Sequence, residues 1–318
     1  MKPGDPIAVL DSGLGGLTVV NALRRVLPAE DLIYFGDTAH LPYGNKSAAA
    51  VCRFVRQIVQ FLEPMNPKHL VMACNTATAL AMPTIAAEFP GLSISGVIEP
   101  GARAAVAAAG ARRLPAIGVI ATEATVRSKA YERAIFQRRN LAQVMLRPTP
   151  LLVPMIEEGR TGDDPLVETA LRQYLQSMIL RKVDVLVLGC THYPLLKGVI
   201  AKVIGPKVRL IDSAEQCAQD VARRLERKGL LRGPVTSPAG SQAEPIGSRA
   251  EPIGSPDDTA AMDESPSATG TLRTFVTDDP ERFAMLASRF LEMEIERPTL
   301  VKPLVPDVSA PVALRAAG

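Results

Sequence analysis

Aromatic residues are scarce in this chain of 318 residues: they make up 4% of the sequence, and tryptophan is absent. Stacking platforms for single-stranded nucleic acid depend on such side chains, so the composition does not support that kind of binding. The 36 Lys and Arg residues against 33 Asp and Glu leave a formal net charge of +3, without a long run of one sign. The sequence therefore gives no indication of a nucleic-acid partner.

Long apolar runs are missing as well. No stretch reaches the roughly 18 apolar residues that a membrane-spanning helix needs. The first ten residues carry Lys2, two prolines and Asp5 in place of the apolar core of a secretory signal. We therefore expect a cytoplasmic protein with no membrane segment.

Cysteine is present four times, as Cys52, Cys74, Cys190 and Cys217, but never in a C-x-x-C pair. Zinc ribbons and thioredoxin-like sites need that spacing, and other metal-ligand spacings are missing too. No lysine can be tied to pyridoxal phosphate. We expect neither a metal nor an organic cofactor, and we expect Cys52 and Cys217 to be small buried side chains.

Short apolar runs alternate with amphipathic segments along most of the chain. Runs of four to six residues with many β-branched side chains are typical of strands buried on both faces. Six such runs cover residues 7–10, 32–35, 69–73, 94–98, 117–120 and 183–188, and helical periodicity marks Ala48–Leu62 and Pro165–Leu180. The pattern predicts an α/β fold with doubly wound parallel sheets, and the length is sufficient for two domains.

Two strand ends resemble each other closely enough to indicate an internal duplication. Leu70–Thr76 parallels Leu186–His192: each is an apolar strand that ends in cysteine and continues into small polar residues. A weaker pairing sets Ala8–Ser12 against Val119–Glu123. Chance similarity of buried strands is the alternative, and it is stronger for the second pair.

The composition changes abruptly between residues 233 and 270, where Pro, Gly, Ser, Ala and Glu dominate and Ala-Glu-Pro-Ile-Gly-Ser occurs twice. Such a segment cannot bury enough apolar surface to order itself, so we predict a disordered insertion. A strand at Leu272–Val276 and a helix at Pro280–Leu291 are expected to follow, and a frayed tail from residue 306.

A glycine-rich turn, Asp11–Thr18, follows the first strand and opens a helix. It does not fit a dinucleotide-binding turn, because position 18 is threonine and the loop starts with an acid that would repel pyrophosphate. Asp11 and Ser12 suit a small zwitterionic ligand. The Asp11 carboxylate would face the ammonium group of the ligand, and the Ser12 hydroxyl, with the backbone N–H groups, would face its carboxylate. A simple capped turn stays open as the alternative.

The two cysteine motifs carry the most chemical information. A cysteine between the end of a strand and the start of a helix lies among unpaired N–H groups, which favour the thiolate. We therefore expect lowered pKa values at Cys74 and Cys190, and two such thiols can exchange protons with carbon near neutral pH. Tyr43 and Gly44 form a turn, in which Gly44 would let the backbone approach a ligand closely.

Five motifs stand in order along the chain: Asp11–Leu17, Pro42–Gly44, Ala73–Thr78, Gly96–Pro100 and Gly189–Leu196. Together they resemble the motif set of bacterial glutamate racemases, in the aspartate/glutamate racemase superfamily. The resemblance implies two similar α/β domains with the active site between them. The first would comprise residues 1–98 and 213–305, and the second residues 99–212.

The resemblance also assigns the site. It implies that Cys74 and Cys190 are the two catalytic groups, that Asp11 and His192 hold or relay protons beside them, and that glutamate is the substrate. The implied substrate-binding positions are Asp11, Ser12, Tyr43, Gly44, Asn75, Thr76, Thr122, Thr191 and His192. Glu157 and Glu158 are the candidates to support His192.

Two alternatives remain from the sequence. The chain could be a racemase for aspartate or another amino acid, although Asn75-Thr76 and Thr191-His192 beside the cysteines favour glutamate. It could also be a non-catalytic binding protein that acts through residues 233–270, although it keeps both cysteines. The D-glutamate produced by such a racemase enters peptidoglycan. The oligomeric state is not fixed, and a homodimer stays open.

Overall fold

The computed structural model describes residues 1–233, 269–293 and 295–302. Its strands are β1 Ile7–Asp11, β2 Leu32–Gly36, β3 His69–Met72, β4 Ile94–Gly96, β5 Ala116–Ala121, β6 Gln143–Pro148, β7 Val185–Gly189, β8 Arg209–Asp212, β9 Leu272–Val276 and β10 Thr299–Leu300. Its helices are α1 Leu17–Val26, α2 Ala48–Leu62, α3 Asn75–Leu80, α4 Met82–Glu88, α5 Ile98–Ala109, α6 Glu123–Ser128, α7 Ala130–Phe136, α8 Leu152–Glu157, α9 Pro165–Leu180, α10 Lys197–Ile204, α11 Ser213–Arg227 and α12 Pro280–Ala287. None of these described helices is long and apolar enough to cross a membrane.

The strands form two parallel sheets. The first has the order β10-β9-β2-β1-β3-β4, and the second has the order β6-β5-β7-β8. Neighbouring strands run parallel in both sheets, and helices connect most of them along the chain. The predicted α/β class with parallel sheets is confirmed.

The four strands of the second sheet repeat the order of four strands in the first. β2-β1-β3-β4 corresponds to β6-β5-β7-β8, so β1 and β5 take equivalent central places and β3 and β7 lie beside them. Cys74 therefore follows the strand equivalent to the one before Cys190. The strand ends at Asp11 and Thr122 are equivalent in the same way, which matches the duplication inferred from the sequence.

The two sheets draw on different parts of the chain. The strands of the first lie within residues 7–96 and 272–300, and those of the second within 116–212. Helix α11 contacts both α1 and α5. Helix α1 connects two strands of the first sheet, whereas α5 leads from the first sheet to the second. The division at residues 98/99 and 212/213 stays a prediction, which this distribution supports.

Buried strands were predicted better than edge strands. All five residues of β1 and of β7 are buried, as their continuous apolar runs indicated. By contrast, β6 and β8 lie at the edges of the second sheet, carry Arg147 and Arg209, and have no fully apolar run. Their half-exposed faces explain why hydrophobic runs alone did not reveal them.

Local capping fixes the predicted helices. Helix α2 begins after Ser47, whose hydroxyl accepts the N–H of Ala50 at 3.2 Å. Helix α9 begins after Asp164, whose carboxylate accepts the N–H of Leu166 at 2.8 Å. Both helices have the predicted bounds. The helix predicted at residues 280–291 ends earlier, at Ala287.

The chain on either side of residues 234–268 is anchored at Asp31. Its carboxylate pairs with the Arg232 guanidinium, and it accepts the backbone N–H of Thr271 at 2.7 Å. The N–H of Gly270 donates to the Pro28 carbonyl at 2.9 Å close by. The disorder predicted for most of residues 233–270, and the tail from residue 306, lie outside the described residues.

Because both flanks meet at Asp31, we expect a short linker to replace residues 236–266 without loss of the fold. The free energy of closing a loop changes slowly with its length. A linker of about six Gly and Ser residues should leave the melting temperature within about 3 °C of the parent. Differential scanning calorimetry measures this. Asp31→Ala should lower the melting temperature of both proteins, and a much larger loss on linker replacement alone would show that the segment contributes to packing.

Candidate active site

A cavity of about 350 Å³ lies between the two halves of the molecule, a size that suits a small ligand. The first half lines it with Ser12, Leu41, Pro42, Tyr43, Gly44, Asn45, Cys74, Asn75 and Thr76. The second half lines it with Thr122, Glu123, Thr149, Pro150, Val153, Pro154, Glu157, Cys190, Thr191 and His192. The structure thus brings together all the predicted site residues except Asp11, which does not line the cavity.

The cavity lies at the carboxyl ends of the central parallel strands, where α/β folds bind ligands. Ser12 follows β1, and Cys74 lies two residues after the end of β3. Thr122 follows β5 directly, and Cys190 follows β7 directly. The duplicated topology therefore supplies one cysteine and one hydroxyl from each half to the same cavity.

Glycine allows the two halves to approach closely. A Cβ at Gly15 would lie 2.3 Å from Thr191 Oγ1 and 2.5 Å from His192 Nδ1. A Cβ at Gly44 would lie 2.9 Å from Thr122 Cβ. The glycine-rich turn after β1 therefore makes room for the Thr191-His192 motif, and Gly44 makes room for Thr122 in addition to lining the cavity.

Cys74 caps helix α3, and its sulfur lies 3.5 Å from the N–H of Ala77. Burial nevertheless raises the pKa of the Cys74 thiol to about 12, and the negative charge of Asp11 adds to the shift. The hydrogen bonds from Ala77 and Ser12 oppose this rise without cancelling it. The lowered pKa that we predicted is wrong for Cys74, because α3 has only six residues and desolvation outweighs its N–H groups.

Cys190 lies at the end of a chain of polar groups. Its sulfur is 3.8 Å from His192 Nδ1, and His192 Nε2 is 3.1 Å from Glu157 Oε1. Burial opposes the charged form of His192, but the interactions with Cys190 and Glu157 prevail and raise its pKa to about 10. His192 therefore links the Cys190 sulfur to the Glu157 carboxylate.

Only one of the two candidate glutamates supports His192. Glu157 contacts the imidazole, whereas the carboxylate of Glu158 lies 3.3 Å from the Arg160 guanidinium. Glu158 follows the last residue of α8 and is mostly exposed. The suggestion that Glu158 supports His192 is therefore wrong in this structure.

Asp11 lies behind the cavity wall, fully buried. Its Oδ2 accepts the N–H of Gly13 at 2.9 Å, and its Oδ1 has no hydrogen-bond partner among the described residues. Burial raises the pKa of Asp11, while the charge of His192 and nearby backbone N–H groups oppose the rise. Its negative charge acts on Cys74, so Asp11 is placed to influence that thiol. The direct ammonium contact predicted for it stays a prediction.

Residues 14–221 match the family described as Asp/Glu/hydantoin racemase, and they make up more than half of the chain. This chain belongs to the Asp/Glu/hydantoin racemase family. A curated glutamate racemase from Koribacter versatilis is 43% identical over 288 residues, which cover 90% of this chain and 93% of the relative. Another curated glutamate racemase, from Geobacter metallireducens, is 47% identical over 230 residues, which cover 72% of this chain and 83% of the relative.

Solved structures of glutamate racemases agree. The enzyme from Thermus thermophilus, in complex with β-chloro-D-alanine, has a TM-score of 0.75 and 40% identity over 95% of this chain and 98% of that one. The enzyme from Francisella tularensis, in complex with D-glutamate, has a TM-score of 0.78 and 33% identity, and the match covers 94% of this chain and 98% of that one. The resemblance inferred from the motifs is confirmed for this racemase-family chain.

Three hydroxyl groups join the halves of this racemase-family site. Thr76 Oγ1 lies 2.9 Å from Thr122 Oγ1 and 3.2 Å from Thr125 Oγ1, and the last two lie 3.0 Å apart. In addition, the hydroxyl of Thr18 donates to the Thr191 carbonyl at 3.1 Å. Direct hydrogen bonds therefore join the two halves beside the cavity.

Sequence reasoning missed several residues that hold the site. Thr125 belongs to the hydroxyl cluster, and Asp37 accepts a hydrogen bond from the Tyr43 hydroxyl at 2.6 Å. Thr277 donates to the other oxygen of Asp37 at 2.8 Å. Asp37 directly follows β2, so the rule that polar groups at strand ends mark a site could have found it. Thr125 gave no such signal, because it lies inside α6.

Among the residues that the structure describes, no group of three His, Cys, Asp or Glu side chains is arranged to hold a metal ion. The expectation that the protein needs neither metal nor cofactor stays a prediction.

The raised pKa of His192 makes stability depend on pH. A histidine whose pKa is about 10 when folded and 6.5 when unfolded stabilises the fold fully below pH 6.5. This contribution is lost as the pH rises from 6.5 through about 10. We expect the difference in free energy of unfolding between the parent and His192→Asn to shrink over that interval, as measured by urea denaturation.

His69 provides the contrasting control. Burial first, and then Arg224 and Lys228, lower its pKa to about 4. His69→Asn should therefore differ from the parent in a pH-dependent way only below pH 6.5, where the parent loses stability as the pH falls. A difference for His192→Asn that stays constant from pH 6.5 to 10 would contradict a charged His192.

Proposed function

We propose that this chain is a glutamate racemase that interconverts L- and D-glutamate by proton transfer between carbon and two thiols, without a cofactor. The observation that carries the proposal is the pair Cys74 and Cys190, which lie at equivalent strand ends of the two halves and line one cavity. The similarity to curated and solved glutamate racemases over most of the chain supports glutamate as the substrate. The D-glutamate formed would enter peptidoglycan.

Inversion of the α-carbon requires one group that removes the proton from one face and another that delivers a proton to the opposite face. A thiolate takes the α-proton and becomes a thiol, and the thiol of the partner protonates the resulting carbanion and becomes a thiolate. The charge and the number of protons are conserved over the step. For the other enantiomer, the two cysteines exchange roles.

The two sulfurs have different neighbours. His192, whose pKa is raised to about 10, lies 3.8 Å from the Cys190 sulfur through its Nδ1. Burial and Asp11 favour the thiol at Cys74. Asp11 and His192 would hold protons beside the two cysteines.

Neutral donors would hold the two carboxylates of the substrate. Of the residues that the structure describes, no Lys or Arg lines this cavity, whereas hydroxyl groups and an amide do. Ser12, Thr76, Thr122 and Thr191 supply hydroxyls, and the amide nitrogen of Asn75 has no hydrogen-bond partner among the described residues. Such donors orient a carboxylate while binding it less strongly than an arginine pair would, which assists product release.

Aspartate racemisation and non-catalytic binding are the competing functions. Circular dichroism of L- and D-glutamate, and separately of the aspartate enantiomers, distinguishes all three possibilities without added cofactor. We expect glutamate to lose its optical activity and aspartate to keep it. Preferential turnover of aspartate would favour the first competitor, and inertness towards both amino acids would favour the second.

The cysteines should divide the reaction between them. Cys74→Ser and Cys190→Ser should each lower racemisation in both directions by roughly 10²- to 10⁴-fold, since each turnover uses both groups. A glutamate analogue with a leaving group on Cβ needs only deprotonation to eliminate. Each variant should therefore still eliminate from one enantiomer, and the two variants should differ in which enantiomer this is.

Cys52→Ser is the matched control, since Cys52 lies outside the cavity and its thiol donates to the Leu80 carbonyl at 3.3 Å, a contact serine can keep. It should retain parental activity. If one active-site variant kept substantial racemisation, or if both eliminated from the same enantiomer, the two-base assignment would be wrong even for a true racemase.

Activity should also survive exhaustive dialysis against a chelator, because thiols alone move the proton in this mechanism. The purified protein should show no absorbance from pyridoxal phosphate, and racemisation should continue at the parental rate. Recovery of a lost activity on adding a metal ion or pyridoxal phosphate would overturn the cofactor-independent mechanism.

A further inference from the structure

The side-chain amide of Asn75 is held at one end and unpaired at the other. Its Oδ1 accepts a hydrogen bond of 2.7 Å from the hydroxyl of Tyr131. Its Nδ2 is buried without a hydrogen-bond partner among the described residues, although Asn75 lines the cavity. A buried donor without a hydrogen-bond partner destabilises the fold, so the presence of one in the cavity wall indicates a ligand that accepts a hydrogen bond from it.

Tyr131 reaches Asn75 from the other half of the molecule. It lies in α7 and is fully buried, whereas Asn75 is the first residue of α3, next to Cys74. A Cβ at Gly189 would lie 3.1 Å from the Tyr131 ring, and one at Gly101 would lie 3.4 Å from its hydroxyl. The ring thus packs at the strand end before Cys190, while its hydroxyl reaches the residue after Cys74.

An asparagine amide can be turned by half a revolution with little change in shape, which exchanges its acceptor and its donors. In this structure the Tyr131 hydroxyl donates to Oδ1, and that hydrogen bond favours the form in which the NH2 group faces away from Tyr131. Burial raises the pKa of Tyr131, so its hydroxyl keeps the proton that it donates. The NH2 group of Asn75 then stays available to a ligand.

We propose that Tyr131 is a positioning residue that fixes the Asn75 amide with its NH2 group towards a carboxylate of the substrate. The inference rests on the proposed function and adds to it a residue outside the predicted site. It assigns Tyr131 no contact with the substrate and no part in proton transfer. Loss of its hydroxyl should therefore weaken substrate binding much more than the chemical step.

Tyr131→Phe removes only the hydroxyl and keeps the ring that packs near Gly189. We expect KM for both L- and D-glutamate to rise roughly tenfold, as for a weakened hydrogen bond to a charged group, with kcat changed less than about threefold. Isothermal titration of glutamate should show a parallel loss of affinity. Tyr174→Phe is the matched control, because its hydroxyl accepts the Leu151 N–H at 3.4 Å in a more exposed place; it should leave both constants unchanged.

A double-mutant cycle distinguishes positioning from a general loss of structure. In an Asn75→Ala background, Tyr131→Phe should change KM by less than about twofold, since no amide is left to orient. An equal rise of KM in both backgrounds would overturn the proposal, and so would an unchanged KM in the single variant. Melting temperatures of all four proteins check that they fold.

Asn75→Asp tests the donor assignment independently of whether Tyr131→Phe folds. Aspartate keeps an acceptor for the Tyr131 hydroxyl but presents oxygen where the NH2 group stood, so it should weaken glutamate binding at least as much as Asn75→Ala. Binding as tight as in the parent would overturn the proposal. A parent protein that neither binds nor racemises glutamate would instead refute the proposed function, and with it this inference.

Discussion

In the proposed mechanism two thiols exchange protons with one carbon of the substrate, so both sulfurs must face the same cavity. Two sheets with the same strand order supply the two thiols from equivalent strand ends, at Cys74 and Cys190. Both sulfurs are buried, and burial raises the pKa of the Cys74 thiol. The groups that surround the two sulfurs differ between the two halves.

The halves are alike in backbone and unlike in electrostatics. Cys190 has His192 beside it, and Glu157 holds the imidazole from the other side. Cys74 has Asp11, a buried acid that disfavours a second negative charge close by. A duplicated fold has thus placed two identical side chains in different electrostatic surroundings.

Contacts between the halves keep this arrangement together. The Thr76, Thr122 and Thr125 hydroxyls form a cluster between the two halves, and the Tyr131 hydroxyl donates to Asn75. Each contact joins a residue near one cysteine to the opposite half. The proposed recognition of the substrate by neutral donors would therefore depend on the close approach of the two halves, which Gly15 and Gly44 permit.

The sequence by itself determined the α/β class and the two cysteine motifs, because buried strands and their polar ends leave local patterns in the order of residues. Its resemblance to glutamate racemases, and not those patterns, indicated the further residues of the predicted site. The sequence could not determine the protonation of Cys74, since desolvation depends on what packs around a thiol and not on its place before a helix. Nor could it select Glu157 over Glu158, which are adjacent in sequence but face different partners. Tyr131 and Asn75, 56 residues apart, became neighbours only through packing of the two sheets.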